Sequence, residues 1–533
     1  MEKHMSAPAP ETPTARKTDD ADGITDESLR ALERALDSHP GVARSAVLAD
    51  EHADGTRTRT AYVLPRRNEA VAADGAELGR QYVAEWQGVY DHVYAQPAPD
   101  DPTFDIRGWL SSYTGAELSE DDMRDWVDGT VHRIRGLGAR RLLEAGCGTG
   151  LLLHRLIEGT ERYLAGDISA GAVERIRASF GGRPPAGLEL FQAPADDLSA
   201  VAPGSVDGFV VNSVSQYFPD EEYLDRVVRG AVDAVAEGGF LFVGDIRSPA
   251  VNRAFCAGLE LGRAPERAPA EKVQVLVERR CCTGTELLID PSYFTGLVGR
   301  LPRVAHVAVV PRRGRRATEM NRYRYDAVIR LDAVPGGEAV VPAWEPWSAV
   351  GGVPELRRRL AEERPEALGL LGVPNARILA DRWAAELLSR PGRPATAGEV
   401  VRAAAGAARG GVEPEDLWEL GEGPSGLPYT VRLSWARSLP DGAFDVALVR
   451  TPDGGGPTPE VRFPSEPAPP RRPVSRPWYG RVENLHPAKL RTHVRERLAD
   501  PAAGPGRFVL LEDFPLTPDG EPDAAALRSL HWA

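Results

Sequence analysis

Short apolar runs separated by amphipathic segments fill the middle of the chain. Seven of these runs have the length of strands, and they alternate mostly with segments in which apolar residues recur at helical spacing. Strands that alternate with helices predict a doubly wound α/β sheet whose ligand lies at the carboxyl ends of the first strands. The predicted strands are Arg141–Ala145, Tyr163–Asp167, Leu188–Gln192, Gly208–Val211, Phe240–Asp245, His306–Val310 and Asp326–Leu331.

A different pattern occupies the two ends of the chain. Leucines at helical spacing after Thr25 predict a helix that ends at His39-Pro40-Gly41. Two short strands around the turn-like residues 52–56 predict a hairpin. Near the other end a helix is followed by a short apolar run. These elements are the strands Ser45–Ala49 and Thr60–Leu64, the helix Leu485–Leu498 and the run Phe508–Leu511.

The most informative sequence is Leu142–Gly150, where an apolar strand runs into an acid and three alternating glycines. In a dinucleotide fingerprint, G-x-G-x-x-G, the third glycine would stand at the position of Leu151. A second acid, Asp167, ends the next predicted strand, at about the distance where a β-α-β unit returns an acid to ribose hydroxyls. The two acids around this turn predict a nucleotide-cofactor site that differs from a dinucleotide site.

The spacing E-x-G-x-G-x-G from Glu144 to Gly150 is similar to the first motif of class I methyltransferases. The resemblance implies a Rossmann-like fold and S-adenosylmethionine as the cofactor, with bare glycine backbone along its methionine half. It also implies a contact from Asp196 to the adenine amino group and a position for Tyr113 over the cofactor. The full set of expected cofactor-binding residues is Tyr113, Glu144, Gly146, Gly148, Gly150, Asp167, Ile168, Asp196 and Asp197.

Further strings resemble nonribosomal peptide synthetases. The sequences HPGVARSAV and TAYVLP near the start, and FPLTPDGEPD near the end, are similar to the small α+β C-terminal subdomain of their adenylation domains. The chain as a whole resembles interrupted adenylation domains, in which a methyltransferase is inserted into that subdomain. The strings specific to the methyltransferase part are Ser112–Gly115, Met123–Val127, Asn212–Pro219, Glu286–Phe294, Thr318–Tyr325, Gly372–Arg377 and Gly411–Trp418.

This resemblance implies a domain plan. We expect a disordered tail, then the first part of the small subdomain, a linker with a helical lead-in, the methyltransferase core, its C-terminal extension, a Pro/Gly-rich linker and the second part of the small subdomain. The corresponding residues are 1–23, 24–66, 67–103, 104–335, 336–450, 451–478 and 479–533.

The adenylation activity of such proteins is expected to be lost here. Fewer than thirty residues precede the small subdomain, where the family carries its large domain for ATP and the amino acid. Glu521 stands where the family has the lysine that pairs with carboxylate and phosphate oxygens. An anion about 4 Å from phosphate replaces attraction by a repulsion of about 4 kcal/mol at an effective dielectric near 20. MbtH-like helper proteins bind mainly the large domain, so none is expected as a partner.

Residues near the acceptor are expected at strand ends and in the strings that resemble the family. Aromatic faces stabilise a cation without competing as nucleophiles, and a carboxylate or tyrosine could accept or orient the proton of an amine. Glu319 is the first choice for that proton, although Thr318 and Asn321 depart from the family string. The expected catalytic residues are Glu319, Tyr325, Tyr217 and Asn212, and the expected substrate-binding residues are Asp245, Arg247 and Tyr323.

Composition excludes several other classes. A formal net charge of −14 argues against a general nucleic-acid binder, and the basic run Pro311–Arg316 is interpreted as a solvated loop. Four cysteines without CxxC spacing predict neither a disulfide framework nor a zinc site, and no metal is expected. No apolar run approaches the ~20 residues that span a bilayer, and the N-terminus lacks a signal-peptide pattern. We therefore expect a cytoplasmic protein without a membrane partner.

The function expected from the resemblance is methylation in natural-product biosynthesis. The favoured reaction is N-methylation of an aminoacyl or peptidyl thioester on a peptidyl carrier protein. O-, S- or C-methylation, including that of a thiazoline or of a released small-molecule intermediate, stays open. Epimerisation by a methyltransferase-like domain is a second enzymatic alternative. A non-catalytic scaffold that docks to an assembly line is the least favoured reading, because the three glycines and both acids are present.

Overall fold

A computed structural model describes most of the chain after residue 23. The predicted tail and most of the predicted Pro/Gly-rich linker lie outside the described residues. The described residues are 24–51, 57–66, 75–97, 99–333, 336–424, 426–451, 459–464, 473–477, 485, 487–498, 500, 504–511, 514–517 and 519–528.

Helices and strands are numbered in chain order. The strands are β1 Val42–Glu51, β2 Arg57–Pro65, β3 Arg141–Ala145, β4 Arg162–Asp167, β5 Leu188–Gln192, β6 Val206–Asn212, β7 Val235–Arg247, β8 Val304–Pro311, β9 Arg324–Leu331, β10 Ala343–Pro346, β11 Ala367–Val373, β12 Tyr429–Ser434, β13 Phe444–Arg450 and β14 Arg507–Leu510. The helices are α1 Asp26–Asp37, α2 Gly75–Tyr94, α3 Glu120–Arg135, α4 Leu153–Leu156, α5 Ala170–Ser179, α6 Glu221–Ala234, α7 Asn252–Arg263, α8 Ala270–Cys282, α9 Pro291–Thr295, α10 Leu297–Arg300, α11 Glu319–Arg322, α12 Val353–Glu363, α13 Leu379–Ser389, α14 Ala397–Ala407, α15 Pro414–Trp418, α16 Pro487–Arg495 and α17 Ala524–Arg528.

A seven-stranded sheet with the order β5-β4-β3-β6-β7-β9-β8 forms the centre of the molecule. All seven predicted strands are present in it, and the expected α/β fold is confirmed. Strands β3 to β7 pair in parallel, whereas β9 runs antiparallel to both β7 and β8. The strand order reverses at β3, which has β4 on one side and β6 on the other. The crevice at such a switch point is where open α/β sheets bind ligands.

Helices cover both faces of this sheet. Successive side chains of a strand point to opposite faces, and neighbouring residues of β3 and β6 belong to two separate apolar clusters. Leu143 and Phe209 lie in one cluster, while Leu142 and Val210 lie in the other, which also contains Met123 of α3. Burial on both faces explains why these strands read as continuous apolar runs in the sequence.

The predicted C-terminal extension forms a second sheet with the order β10-β11-β13-β12. Its apolar residues, among them Leu370, Val446 and Leu448, belong to the larger of the two clusters beside the central sheet. The backbone N–H of Trp435 donates to the carbonyl of Val309 in β8 at 3.0 Å. The extension and the methyltransferase core therefore share one apolar core.

A third sheet joins the two ends of the chain. Strands β1 and β2 form the expected antiparallel hairpin, and β14 pairs with β2 in parallel, with Phe508 opposite Ala61. Helices α1 and α16 pack on this sheet through Leu36, Leu490 and Val494. Residues before and after the methyltransferase thus build one small α+β unit.

This small unit is joined to the methyltransferase by a buried ion pair. Glu278 of α8 is almost fully buried and accepts two hydrogen bonds from Arg491 of α16, both at 2.7 Å. The guanidinium of Arg491 also donates to the carbonyl of Pro505, just before β14. A buried carboxylate is expensive to leave unpaired, so this contact holds the two units together.

The basic run at the end of β8 was expected as a solvated loop, and for two of its arginines that prediction is wrong. Arg312 is only 2% exposed, and its guanidinium contacts Asp326 at 2.7 Å. Arg313 contacts Glu415 of α15 at 2.9 Å. Carboxylates that are distant in the sequence neutralise these charges, which a local charge pattern does not reveal. None of the described helices is both long and apolar enough to cross a bilayer.

Candidate functional site

A cleft opens at the carboxyl ends of β3, β4 and β6, at the switch point of the central sheet. Its empty volume is about 1170 Å³ including the part open to solvent, which is ample for a drug-sized ligand. The lining comes from α2, the glycine turn, the end of β4 and the segment after β6. The lining residues include Val83, Trp86, Gln87, Tyr90, Tyr94, Trp109, Trp126, Glu144, Gly146, Cys147, Gly148, Thr149, Asp167, Ile168, Ala195, Asn212, Ser213, Val214, Tyr217, Phe218 and Tyr223.

The glycine turn at the end of β3 lies against the cleft with bare backbone. Gly146 has φ +75°, and a Cβ atom built there would lie 2.5 Å from Cγ2 of Val214. Gly148 has φ +53°, and a Cβ atom there would lie 3.1 Å from the hydroxyl of Tyr94. A side chain at either position would strain the backbone and meet a cleft-lining residue. Gly150 lies one turn further on, with φ +84°, and does not line the cleft.

Asp167 ends β4 beside this turn. Its two carboxylate oxygens each accept one backbone hydrogen bond at 2.9 Å, from Gly148 and from Ser169. Burial raises the pKa of this carboxyl, and the two backbone N–H groups oppose the rise. Since a carboxylate has about four lone-pair positions, Asp167 can accept further hydrogen bonds from a ligand in the cleft.

Glu144 lies at the floor of the cleft, on β3. Its carboxyl accepts a hydrogen bond from the hydroxyl of Tyr163 at 2.7 Å and is 3% exposed. Burial raises the pKa of Glu144 to about 8, although the Tyr163 hydroxyl acts to lower it. The side chain is therefore mostly neutral at pH 7, and a cation in the cleft would favour its ionised form.

Helix α2 covers the cleft, although the sequence pattern indicates only a helical lead-in there. Tyr82, Trp86, Tyr90 and Tyr94 recur every four residues and so share one face of the helix. Their neighbouring ring centroids lie 6.3, 6.3 and 5.7 Å apart. The last three of these residues line the cleft. The four-residue spacing of large aromatic residues was the signal that could have identified this wall.

Two of the four predicted catalytic residues line the cleft. Asn212 ends β6, and its buried Oδ1 atom has no hydrogen-bond partner among the described residues. Tyr217 follows in the short 3-10 turn Ser215–Tyr217, with its ring 4.3 Å from the Trp86 ring between centroids. Burial raises the pKa of Tyr217 to about 12, so its hydroxyl stays protonated at neutral pH.

The other two lie outside the cleft lining. The carboxyl of Glu319 accepts hydrogen bonds from the backbone N–H and the hydroxyl of Ser112, at 2.9 and 2.8 Å. Tyr325 is completely buried in β9, and its hydroxyl donates to the carbonyl of Ile289 at 2.7 Å. Each group is thus engaged by the protein itself. The geometry argues against direct contact of Tyr325 with a substrate.

Tyr113 and Tyr323, expected at the cofactor and at the substrate, contact each other instead. Their hydroxyl oxygens lie 3.1 Å apart, and the Tyr323 hydroxyl donates to Asp381 of α13 at 2.6 Å. Neither residue lines the cleft; Trp109, four positions before Tyr113, does. These tyrosines join the core to the C-terminal extension, a long-range contact that the local string does not show.

Asp196 and Asp197 lie beside the cleft without lining it. Asp196 accepts a hydrogen bond from Nε of Arg226 at 3.0 Å, and its neighbour Ala195 is part of the lining. Asp197 is exposed and accepts a hydrogen bond from the backbone N–H of Ser199 at 3.1 Å. Ile168, the remaining predicted cofactor contact, does line the cleft.

Asp245 and Arg247 stand at the end of β7, where the pairing with β9 shifts register. Asp245 is fully buried with φ +62°, and it accepts a hydrogen bond from Nε1 of the cleft-lining Trp126 at 3.1 Å. Burial acts to raise its pKa, but the guanidiniums of Arg324 and Arg312 hold that pKa below its usual value. Arg247 pairs with Glu286. Neither residue lines the cleft, and Asp245 reaches it only through its hydrogen bond with Trp126.

Several known proteins are similar to this chain. A family model described as a methyltransferase domain matches residues 143–241. The chain is 35% identical over 523 residues to chondramide synthase cmdD of Chondromyces crocatus, which covers 94% of this chain and 13% of that synthase. It is 30% identical over 499 residues to the probable non-canonical nonribosomal peptide synthetase CymA of Salinispora arenicola, covering 93% of this chain and 6% of CymA. The chain thus spans a small part of these relatives.

Among solved structures, the methyltransferase domain of bacterial CtHen1 is similar to part of this chain. It is 17% identical, with a TM-score of 0.28, and the match covers 39% of this chain and 99% of that domain.

Proposed function

We propose that this chain, which carries an S-adenosylmethionine-dependent methyltransferase domain of the type found in nonribosomal peptide synthetases, methylates nitrogen in an aminoacyl or peptidyl thioester held on a carrier protein. Similarity to synthetases over nearly the whole chain supports the carrier-bound substrate. The choice of nitrogen is supported by the chemistry of the cleft. The end of the cleft lined by Trp86, Asn212 and Tyr217, called the acceptor end, has no lining group among the described residues that could serve as a base.

The residues of the cleft fit S-adenosylmethionine. Gly146 and Gly148 present bare backbone to the cleft, and Asp167 keeps acceptor positions for two ribose hydroxyls. Glu144 lies on the same strand end, where a carboxylate can balance the positive charges of the methionine part. When bound, the cofactor supplies an electrophilic methyl group on a sulfonium. We assign its ribose to Asp167 and its methionine part to Glu144 and the glycine backbone.

The observation that carries the choice of nitrogen is the lack of a base among the cleft-lining residues of the described chain. Their carboxylates are Glu144 and Asp167, both at the cofactor end, and none of them is a histidine. Burial raises the pKa of the Cys147 thiol and that of Tyr217, so both stay protonated. A hydroxyl or an α-carbon needs a base during transfer, whereas a neutral amine attacks with its own lone pair.

The protein's task is then to align the amine and keep water out. Asn212 ends β6 and lines the cleft, so its side-chain amide can hydrogen-bond to the incoming amine. Trp86 and Tyr217 close the same end with apolar ring surface. Alignment of this kind can supply much of the rate increase without any ionised side chain at the nucleophile.

We also propose that the small unit no longer activates amino acids. Glu521 lies in an exposed turn, where its carbonyl accepts a hydrogen bond from the N–H of Thr517 at 2.8 Å. Its carboxylate stands where the family has a lysine, and it would repel an acyl-adenylate. We expect no amino-acid-dependent exchange of pyrophosphate into ATP. Exchange above background for any proteinogenic amino acid would contradict this part of the proposal.

The test of the proposed function compares two matched acceptors. One carrier protein is loaded with an α-aminoacyl thioester and another with the α-hydroxyacyl thioester of the same side chain. Intact-mass spectrometry follows the gain of one methyl group with and without S-adenosylmethionine. We expect the aminoacyl carrier alone to gain the methyl group, and fragmentation to locate it on nitrogen.

Other outcomes identify the alternatives. A methyl group on oxygen or on the α-carbon of either acceptor would overturn the nitrogen assignment. Loss of an α-deuterium label without a gain of mass from the cofactor would indicate epimerisation. Transfer to the free amino acid but not to the loaded carrier would replace the carrier-bound substrate by a released one.

A further inference from the structure

We infer that helix α2 supplies a binding site for a positively charged onium group, formed by the rings of Trp86 and Tyr90 together with that of Tyr217. The inference rests on the proposed function and names the residues that hold the positive charge of the reaction. Before transfer that charge is the sulfonium of the cofactor, and afterwards it is the methylated ammonium. None of the helix lies within residues 143–241, which match the methyltransferase family model.

The three rings pack against one another as one cluster on the cleft wall. The ring centroid of Tyr217 lies 4.3 Å from that of Trp86 and 5.3 Å from that of Tyr90, and the latter two are 6.3 Å apart. All three residues line the cleft. A cation attracted by an aromatic face lies within about 6 Å of the ring centroid. A cation on the cleft side of this cluster can therefore lie within reach of more than one ring.

The helix is fixed in this position by hydrogen bonds to the segment after β4. Nε2 of Gln87 donates to the carbonyl of Ile168 at 3.3 Å, and the hydroxyl of Ser169 donates to Asp91. Tyr82 donates its hydroxyl to the carbonyl of Thr285. The wall is thus anchored on both sides of Trp86, which keeps the rings oriented before any ligand binds.

The order of the rings along the helix matches the order of the cofactor's groups. Tyr94 lies next to Gly148 and Asp167, the end assigned to the ribose. Trp86 is eight residues earlier, about 12 Å along the helix axis, and it touches Tyr217 at the acceptor end. The sulfonium is bonded to the ribose on one side and faces the acceptor on the other. Its position therefore falls between these two ends, beside Tyr90 and Trp86.

The charge state of this wall suits a cation, which is attracted to the face of a neutral aromatic ring. Among the described lining residues at this end of the cleft there is no carboxylate that would hold a cation by direct charge. Burial also raises the pKa of Tyr90 and that of Tyr217, so both rings remain neutral.

The test compares two ligands that differ by one methyl group and one positive charge at sulfur. S-adenosylmethionine carries the sulfonium, and S-adenosylhomocysteine carries a neutral thioether. Dissociation constants are measured by calorimetry for the full chain, Trp86→Leu, Trp86→Phe and Val89→Ala. Val89 is the control because it lies on the same helix, is half exposed and does not line the cleft.

We expect Trp86→Leu to weaken S-adenosylmethionine binding by about three- to thirtyfold and to leave the affinity for S-adenosylhomocysteine nearly unchanged. Trp86→Phe should recover part of the loss, and Val89→Ala should not alter the ratio of the two constants. An equal loss for both ligands would overturn the inference and make Trp86 a packing residue. Failure of the unaltered chain to bind either ligand would instead overturn the proposed function. Normal binding of both ligands without methyl transfer to any carrier would support the cation site and contradict the assignment of the acceptor.

Discussion

Glu144 offers a sharp test of the electrostatics of the cleft. The carboxyl is buried at the end of β3, and its pKa is raised from the ordinary 4.5 to about 8. In the unfolded chain the same group ionises near pH 4.5. Between these two values the folded protein keeps a proton that the unfolded chain releases, so stability falls as pH rises. Well below pH 4.5 both states are protonated, and the group then adds no pH dependence to the stability.

The size of this effect follows from the shift in pKa. A rise from 4.5 to about 8 corresponds to roughly 5 kcal/mol of unfolding free energy, most of which is lost by pH 8. Glu144→Gln removes the titration, and its amide oxygen can still accept the Tyr163 hydrogen bond. The variant should therefore match the unaltered chain at acidic pH and become progressively more stable than it as pH rises.

The assay is urea unfolding followed by tryptophan fluorescence at several pH values between 4.5 and about 8. Glu158→Gln serves as the control because Glu158 is exposed, and its variant should show no such divergence. A gap between Glu144→Gln and the unaltered chain that stays constant with pH would refute the reasoning. Saturating S-adenosylmethionine should narrow the gap, since a nearby cation favours the ionised carboxylate.

Three further predictions concern the turn, the acceptor end and the junction between the units. Gly146→Ala should weaken cofactor binding more than tenfold in calorimetry. Left-handed backbone costs a residue with a Cβ atom about 1–2 kcal/mol, and the new atom would meet Val214. The control Gly159→Ala has φ +94° but open space around the new atom, and this variant should bind the cofactor normally. Asn212→Ala should lower kcat/KM for the aminoacyl carrier about tenfold and leave the affinity for the cofactor unchanged. An equal loss of kcat/KM and of cofactor affinity would show that Asn212 contacts only the cofactor. Arg491→Ala should destabilise the protein by about 3–5 kcal/mol in thermal unfolding, because Glu278 stays buried and unpaired. Adding Glu278→Gln should restore part of this stability. A single variant as stable as the unaltered chain would contradict the role of the ion pair.

The sequence allowed a correct prediction of the sheet because strand β3, its glycine turn and Asp167 form a local unit. Their spacing fixes the turn geometry, and burial on both faces makes the strands visible as apolar runs. The hairpin of β1 and β2 was equally local. These elements needed no information about residues distant in the sequence.

The parts that escaped prediction depend on contacts between distant residues. The sequence predicts only a lead-in helix at α2, because an apolar aromatic face does not reveal which part of the fold it will cover. The strings around Tyr113 and Tyr323 resemble the family, but resemblance does not say which side chains reach the cleft. In the structure these two hydroxyls meet each other and Asp381, and the Tyr325 hydroxyl meets a backbone carbonyl. Arg312 forms an ion pair with Asp326 of the neighbouring strand β9, and no local sequence pattern shows this contact either.

The most direct test of the account is transfer of an isotopically labelled methyl group from S-adenosylmethionine to an aminoacyl carrier protein in a single turnover. It is measured for the unaltered chain, for Asp167→Ala and for Asp197→Ala, whose exposed carboxylate lies outside the cleft. We predict label on nitrogen for the unaltered chain and for Asp197→Ala, and transfer at least a hundredfold slower for Asp167→Ala, which loses about two charged hydrogen bonds to the cofactor. Label on another atom, or equal transfer by all three proteins, would contradict the assignment of the cleft.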